Sequence, residues 1–101
     1  MSISAKQRAD GKEVTISIEG RLDYTNANKF KQIYMRTNPS DVDYIIDLQH
    51  ARDLDSSALT LFLNFRAFAA DRCHEIQIIN CDKTAKHIFY STGLNKLFTI
   101  H

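Results

Sequence analysis

Apolar residues along this chain recur first at every second position, then at every third or fourth. Ile3 to Arg8 alternates weakly, as an edge strand would. Asp10-Gly11 is a hairpin signal. Val14, Ile16 and Ile18 then alternate with Thr15, Ser17 and Glu19, the pattern of a half-buried strand, and Gly20 ends it. Asp23 or Thr25 can cap the next segment, where Tyr24, Ala27, Phe30, Ile33 and Tyr34 keep helical spacing. Asn38-Pro39-Ser40 closes that helix. Tyr44 to Leu48 reads as a buried strand, Ser57 to Ala70 as a helix and Glu75 to Ile79 as a further strand. Lys83 to Thr92 carries Ala85, Ile88 and Phe89 on one face, with Gly93 placed as a helix C-cap, and Leu97 to Ile100 forms a last short strand. The order β-β-α-β-α-β-α-β predicts a single α/β domain over residues 1–101. Its sheet should be mixed and mostly parallel, opened by an N-terminal antiparallel hairpin.

The helix from Ser57 to Ala70 is more apolar than its place requires. Ala58, Leu59, Leu61, Phe62, Leu63, Phe65, Phe68 and Ala69 spread over an arc of roughly 220°, where a surface helix needs little more than about 100°. Only Thr60, Asn64 and Asp71 define a polar side. Most of the arc fits a helix buried between the sheet and neighbouring helices. A part of it near Leu61 is expected to be exposed for a partner helix.

Composition narrows the class. With 101 residues, 44% hydrophobic and 25% charged, this is an ordinary globular chain. Thirteen Lys and Arg against twelve Asp and Glu leave a net charge of +1, which gives no electrostatic reason to expect nucleic acid or an anionic membrane. No stretch approaches the roughly 20 apolar residues that span a bilayer. The N-terminus M-S-I-S-A-K-Q-R has no signal-peptide core. A cytoplasmic monomer without membrane insertion is the expectation. Cys73 and Cys81 flank a predicted strand that would hold them roughly 25 Å apart, so no disulfide is expected.

Catalytic and metal chemistry find little material. A serine nucleophile needs a histidine base, and of His50, His74, His87 and His101 only His50 lies near Ser56 in sequence, with no evident orienting group. Cys73-His74 is too small a set for a metal, and no phosphate-binding glycine loop is present. Neither enzymatic activity nor a cofactor or metal is expected. What remains is an acidic and hydroxyl-bearing edge. Asp23 follows one strand and Asp55-Ser56-Ser57 follows the next; if those strands are parallel, both turns emerge at one sheet edge, as neighbours. A hydroxyl at the first turn of a helix can cap the unpaired N–H groups there, and the same place tolerates a covalent phosphate.

G-R-L-D at Gly20 to Asp23, the strand Y-I-I-D-L, D-S-S-A-L at Asp55 to Leu59 and S-T-G-L-N-K-L-F at Ser91 to Phe98 together resemble the STAS-domain family of anti-sigma factor antagonists. The likeness covers essentially the whole chain. It implies phosphorylation of Ser56 by a serine kinase, often itself the anti-sigma factor, with reversal by a PP2C-like phosphatase. Asp23 matches the family's acidic residue beside the phosphosite, and Asp55 the Asp that precedes it. The docking face implied comprises Asp23, Tyr24, Thr25, Asp55, Ser57, Ala58 and Leu61. At Ala58 the family usually has glycine, so a methyl is added at that expected surface. The resemblance also admits a second role, a STAS adaptor subunit of a larger complex, such as one for lipid transport, that is never phosphorylated.

Overall fold

The hairpin at Asp10-Gly11 forms because Gly11 adopts φ +74°, a left-handed conformation that costs glycine little. Its N–H donates to the Arg8 carbonyl at 2.8 Å, and the Arg8 N–H donates to the Glu13 carbonyl at 2.8 Å. A computed structural model describes residues 2–54, 56–70 and 72–101. The elements are β1 (Ser2–Gln7), β2 (Glu13–Arg21), α1 (Ala27–Met35), β3 (Asp43–Arg52), α2 (Ser56–Ala69), β4 (Glu75–Ile79), α3 (Lys83–Ser91) and β5 (Thr99–Ile100). Single-turn 3-10 helices at Tyr24–Asn26 and Leu94–Lys96 complete them.

The five strands lie in chain order, with β1 antiparallel to β2 and the other pairs parallel. Each crossover therefore steps one strand in the same direction. Right-handed connections then put every helix on the same side of the sheet. Two layers result, and the opposite face of the sheet stays open. Val14, Ile16 and Ile18 of β2, Tyr44, Ile46 and Leu48 of β3 and Ile76 and Ile78 of β4 are buried beneath the helices. Their alternate neighbours are only half-buried or exposed. Tyr44 to Leu48 is thus buried on one face alone; Ile45 and Asp47 point to the open side.

Aromatic rings tie the layers together. Phe62 on α2 meets Phe30 on α1 at 6.1 Å, Phe89 on α3 at 5.5 Å and Phe98 at 6.3 Å between centroids. Phe65 stands edge-on to Tyr44 of the sheet at 5.0 Å. The buried Tyr44 hydroxyl keeps a partner in Thr37 Oγ1 at 2.6 Å, as a buried polar group requires.

Two strand ends differ from expectation. β3 continues past Leu48 to Arg52, and β2 runs through Gly20 to Arg21. Their ladder shifts register between Ser17 and Glu19, so that β3 accommodates one extra residue, a bulge. Asp47 Oδ1 stabilises it by accepting from the Gln49 N–H at 2.9 Å and from Asn80 Nδ2 at 2.8 Å. At the other end of the chain, Leu97 lies outside β5, after the second 3-10 turn.

Candidate functional site

The parallel ladder pairs Arg21 of β2 with Arg52 of β3, so both chains leave the sheet at one edge and one level. Asp23 caps the first 3-10 turn there. Its Oδ1 accepts from the Thr25 N–H at 2.9 Å and from the Thr25 hydroxyl, and its Oδ2 meets Arg21 Nε at 3.1 Å. With only 8% exposure and both oxygens engaged, Asp23 shapes the turn more than it offers a free carboxylate. The turn itself is presented to solvent: Tyr24 is 77% exposed, and Thr25 is exposed beside it. Asn26 Nδ2 donates to the Arg21 carbonyl at 2.9 Å and closes the turn onto β2.

Ser56 opens α2 with an exposed side chain, and Ser57 is half-buried behind it. Asp55 lies outside the described residues, as does Asp71. The hydroxyl of Ser56 therefore stands in the first turn of a helix, where unpaired N–H groups give a positive end. The α2 helix packs against the Tyr24–Asn26 turn, which joins the two halves of the edge. A cleft of about 180 Å³ opens beside it, lined by Leu48, Ala51, Asp53, Leu54, Asp82, Thr84 and Ala85.

Two expected surface residues are not on the surface. Ala58 is completely buried, so its methyl fills the core rather than a docking face. Leu61, where exposure was expected, is only 7% exposed because α1 lies against that side of α2. Its remaining accessible atoms line a groove of about 230 Å³ between α1 and α2, together with Phe30, Lys31, Tyr34 and Asn64. The large apolar side chain that α2 does expose among the described residues is Leu63, at 43%.

Residues 5–99 match the family model described as "Mlab, STAS domain". The chain belongs to the STAS-domain family. A STAS-domain-containing protein of Pseudomonas aeruginosa strain UCBPP-PA14 is 36% identical over 100 residues, spanning 99% of each chain. Among solved structures, an anti-sigma factor antagonist from Mycobacterium paratuberculosis superposes with a TM-score of 0.75 at 16% identity, over 99% of this chain and 86% of that one. The anti-sigma factor antagonist SpoIIAA in its unphosphorylated form gives 0.77 at 18% identity, over 99% and 88%. The fold is that of these antagonists.

In this STAS domain His50 lies in β3 near Glu19 and Arg52, two residues before the edge that leads to Ser56, while His74 meets Asp41 at 3.5 Å at the far end of the sheet. Among the described residues no cluster of three His, Cys, Asp or Glu side chains is arranged to hold a metal. Among the described residues no helix is long and apolar enough to cross a membrane. Sequence reasoning missed the α1–α2 groove and the exposure of Leu63. A wheel of α2 alone carries no signal for the side on which α1 lies.

Proposed function

We propose that this STAS domain is an anti-sigma factor antagonist that works by partner switching. Unphosphorylated, its Ser56 edge docks a kinase-type anti-sigma factor or a related regulator. In the switching step the Ser56 oxygen attacks the terminal phosphorus of ATP. The new O–P bond forms as the bond to ADP breaks, and the hydroxyl proton passes to a base of the kinase. A PP2C-like phosphatase returns the hydroxyl by hydrolysis, releasing inorganic phosphate.

The observation that carries this reading is the exposed Ser56 hydroxyl in the first turn of α2, at the sheet edge shared with the Asp23-capped turn. Tyr24 and Thr25 would contribute contact area, Asp23 would hold their turn, and Leu61 would floor the groove alongside. Ala58, buried in the first turn of the same helix, would lie beneath that surface rather than in it. A phosphate brings about −1.5 to −2 charge. The helix terminus accepts it without unfolding, while a packed partner surface does not, since a desolvated charge mismatch can cost several kcal/mol. About 1.4 kcal/mol is already tenfold in affinity.

The chain purified from its own host should carry phosphate on Ser56 when peptides are mapped by mass spectrometry. Phosphate on Thr25 or Ser91 with none on Ser56 overturns the assignment. In a pull-down from the same host, Ser56→Ala should retain the regulator and Ser56→Asp should lose it. Equal capture by both would make the domain a constitutive adaptor.

A further inference from the structure

The near-neutral net charge conceals a separation between the two layers. No acidic residue occurs in α1, α2, α3 or either 3-10 turn, whereas these elements carry Lys29, Lys31, Arg66, Lys83, Lys86 and Lys96. All six cations are exposed. The open face of the sheet is different. Glu13, Asp43 and Glu75 stand side by side across β2, β3 and β4, with Glu19 and Asp47 further along, against Lys6, Arg21 and Arg52. Around the helices, acidic groups occur in the connecting loops; Asp23 and Asp82 there are engaged as caps.

A second asymmetry follows the first. Among the described residues, the exposed large apolar side chains are Tyr24, Met35, Leu63, Tyr90 and Leu97. Every one belongs to the helical layer or to the ends of its turns. They sit one to an element, on or at the end of five different helices and turns. On α3, helical spacing sets Lys83, Lys86, His87 and Tyr90 opposite the buried Ala85 and Phe89, so one outer face is basic and aromatic.

We infer that the helical layer is a docking surface for an anionic phospholipid bilayer, on which the domain lies with its open sheet face turned to solvent. Cations beside an anionic leaflet each contribute to binding, and isolated aromatic and aliphatic side chains can enter the headgroup region. The chemistry of the cations favours lipid over an acidic protein. Five of the six are lysines, which protein interfaces avoid in favour of arginine. Lysine is a hydrated point charge suited to a diffuse field of phosphates rather than to a bidentate partner. Protein interfaces also centre on a contiguous desolvated core, and here each large exposed apolar group belongs to a separate element. The inference does not depend on phosphorylation of Ser56.

The purified chain should sediment with vesicles of phosphatidylcholine mixed equally with phosphatidylglycerol, and not with vesicles of phosphatidylcholine alone. Binding should weaken as added salt shortens the screening length. Lys83→Glu with Lys86→Glu should weaken it at least about tenfold, and the fold should survive, because glutamate suits the first turn of a helix. Tyr90→Ser should weaken it without changing the salt dependence, while Glu13→Gln with Asp43→Asn should leave it intact. Failure to sediment with the anionic vesicles at low salt overturns the inference. So does equal binding by the charge-reversed chain, and so does retention on immobilised polyglutamate without vesicle binding, which would assign the basic layer to an acidic protein.

Discussion

Cys81 lies two residues past the end of β4, and burial pushes its thiol up to about 11, with Lys86 opposing and Asp82 reinforcing the shift. The fold therefore favours the neutral thiol over the thiolate. Since the unperturbed value is 9.0, this contribution to stability is complete below about pH 9 and is lost as pH rises through about 11. Tyr34 and Tyr44, both raised by burial, act in the same direction at still higher pH. Alkylation of the Cys81 peptide by iodoacetamide should be far slower at pH 8 in the folded chain than in the denatured one, and should accelerate toward pH 11. Equal rates at pH 8 would contradict the burial of the thiol. At this scale some residues declare themselves and others do not. Asp23 was legible as a cap because a short carboxylate ahead of a helical segment has an immediate local use, which the bond from the Thr25 N–H realises. Ala58 and Leu61 were not, since their exposure depends on α1, which is remote in sequence.

Among the elements, α2 is the one on which the helical layer depends. Phe62 touches rings from α1, from α3 and from the segment before β5, so its removal opens a void at the meeting point of three connections. Phe62→Ala should cost about 3–5 kcal/mol in denaturant unfolding, a large part of the roughly 5–15 kcal/mol total of a domain. Leu63→Ala, one residue along but facing solvent, should stay within about 0.5 kcal/mol. Similar losses from both would mean that the two faces of α2 are assigned wrongly. The breadth of apolar residues on α2 was legible as burial on several sides, and α1 and α3 supply those sides. The length of β3 was not. Gln49, His50 and Arg52 carry no strand pattern; they are extended because the parallel ladder to β2 resumes beyond the bulge and Asp47 satisfies the Gln49 N–H in between.

For the whole molecule, the element order was enough to predict a mixed, mostly parallel sheet, and uniform one-strand crossovers explain why all helices share a face. The open face was harder to read. Y-I-I-D-L looks buried throughout, yet Ile45 is only half-covered, because no connection returns on that side. Net charge likewise sums over elements that differ: the helices and 3-10 turns hold no acidic residue, and the strands hold five. This layout bears on how a phosphate at Ser56 could act. The α2 terminus is set against the Tyr24–Asn26 turn by packing, and the core beneath it is formed by Ala58, Phe62 and Phe65 rather than by the serine. An added negative charge at a helix N-terminus contributes about 0.3–1 kcal/mol of stabilisation, in the opposite direction to any lost capping by the hydroxyl. Ser56→Asp should accordingly unfold as one cooperative transition, with a melting temperature within about 5 °C of the parent. Partner release on phosphorylation would then arise at the interface. A melting temperature lowered by tens of degrees, or loss of the cooperative transition, would show instead that negative charge at Ser56 acts by dismantling the domain.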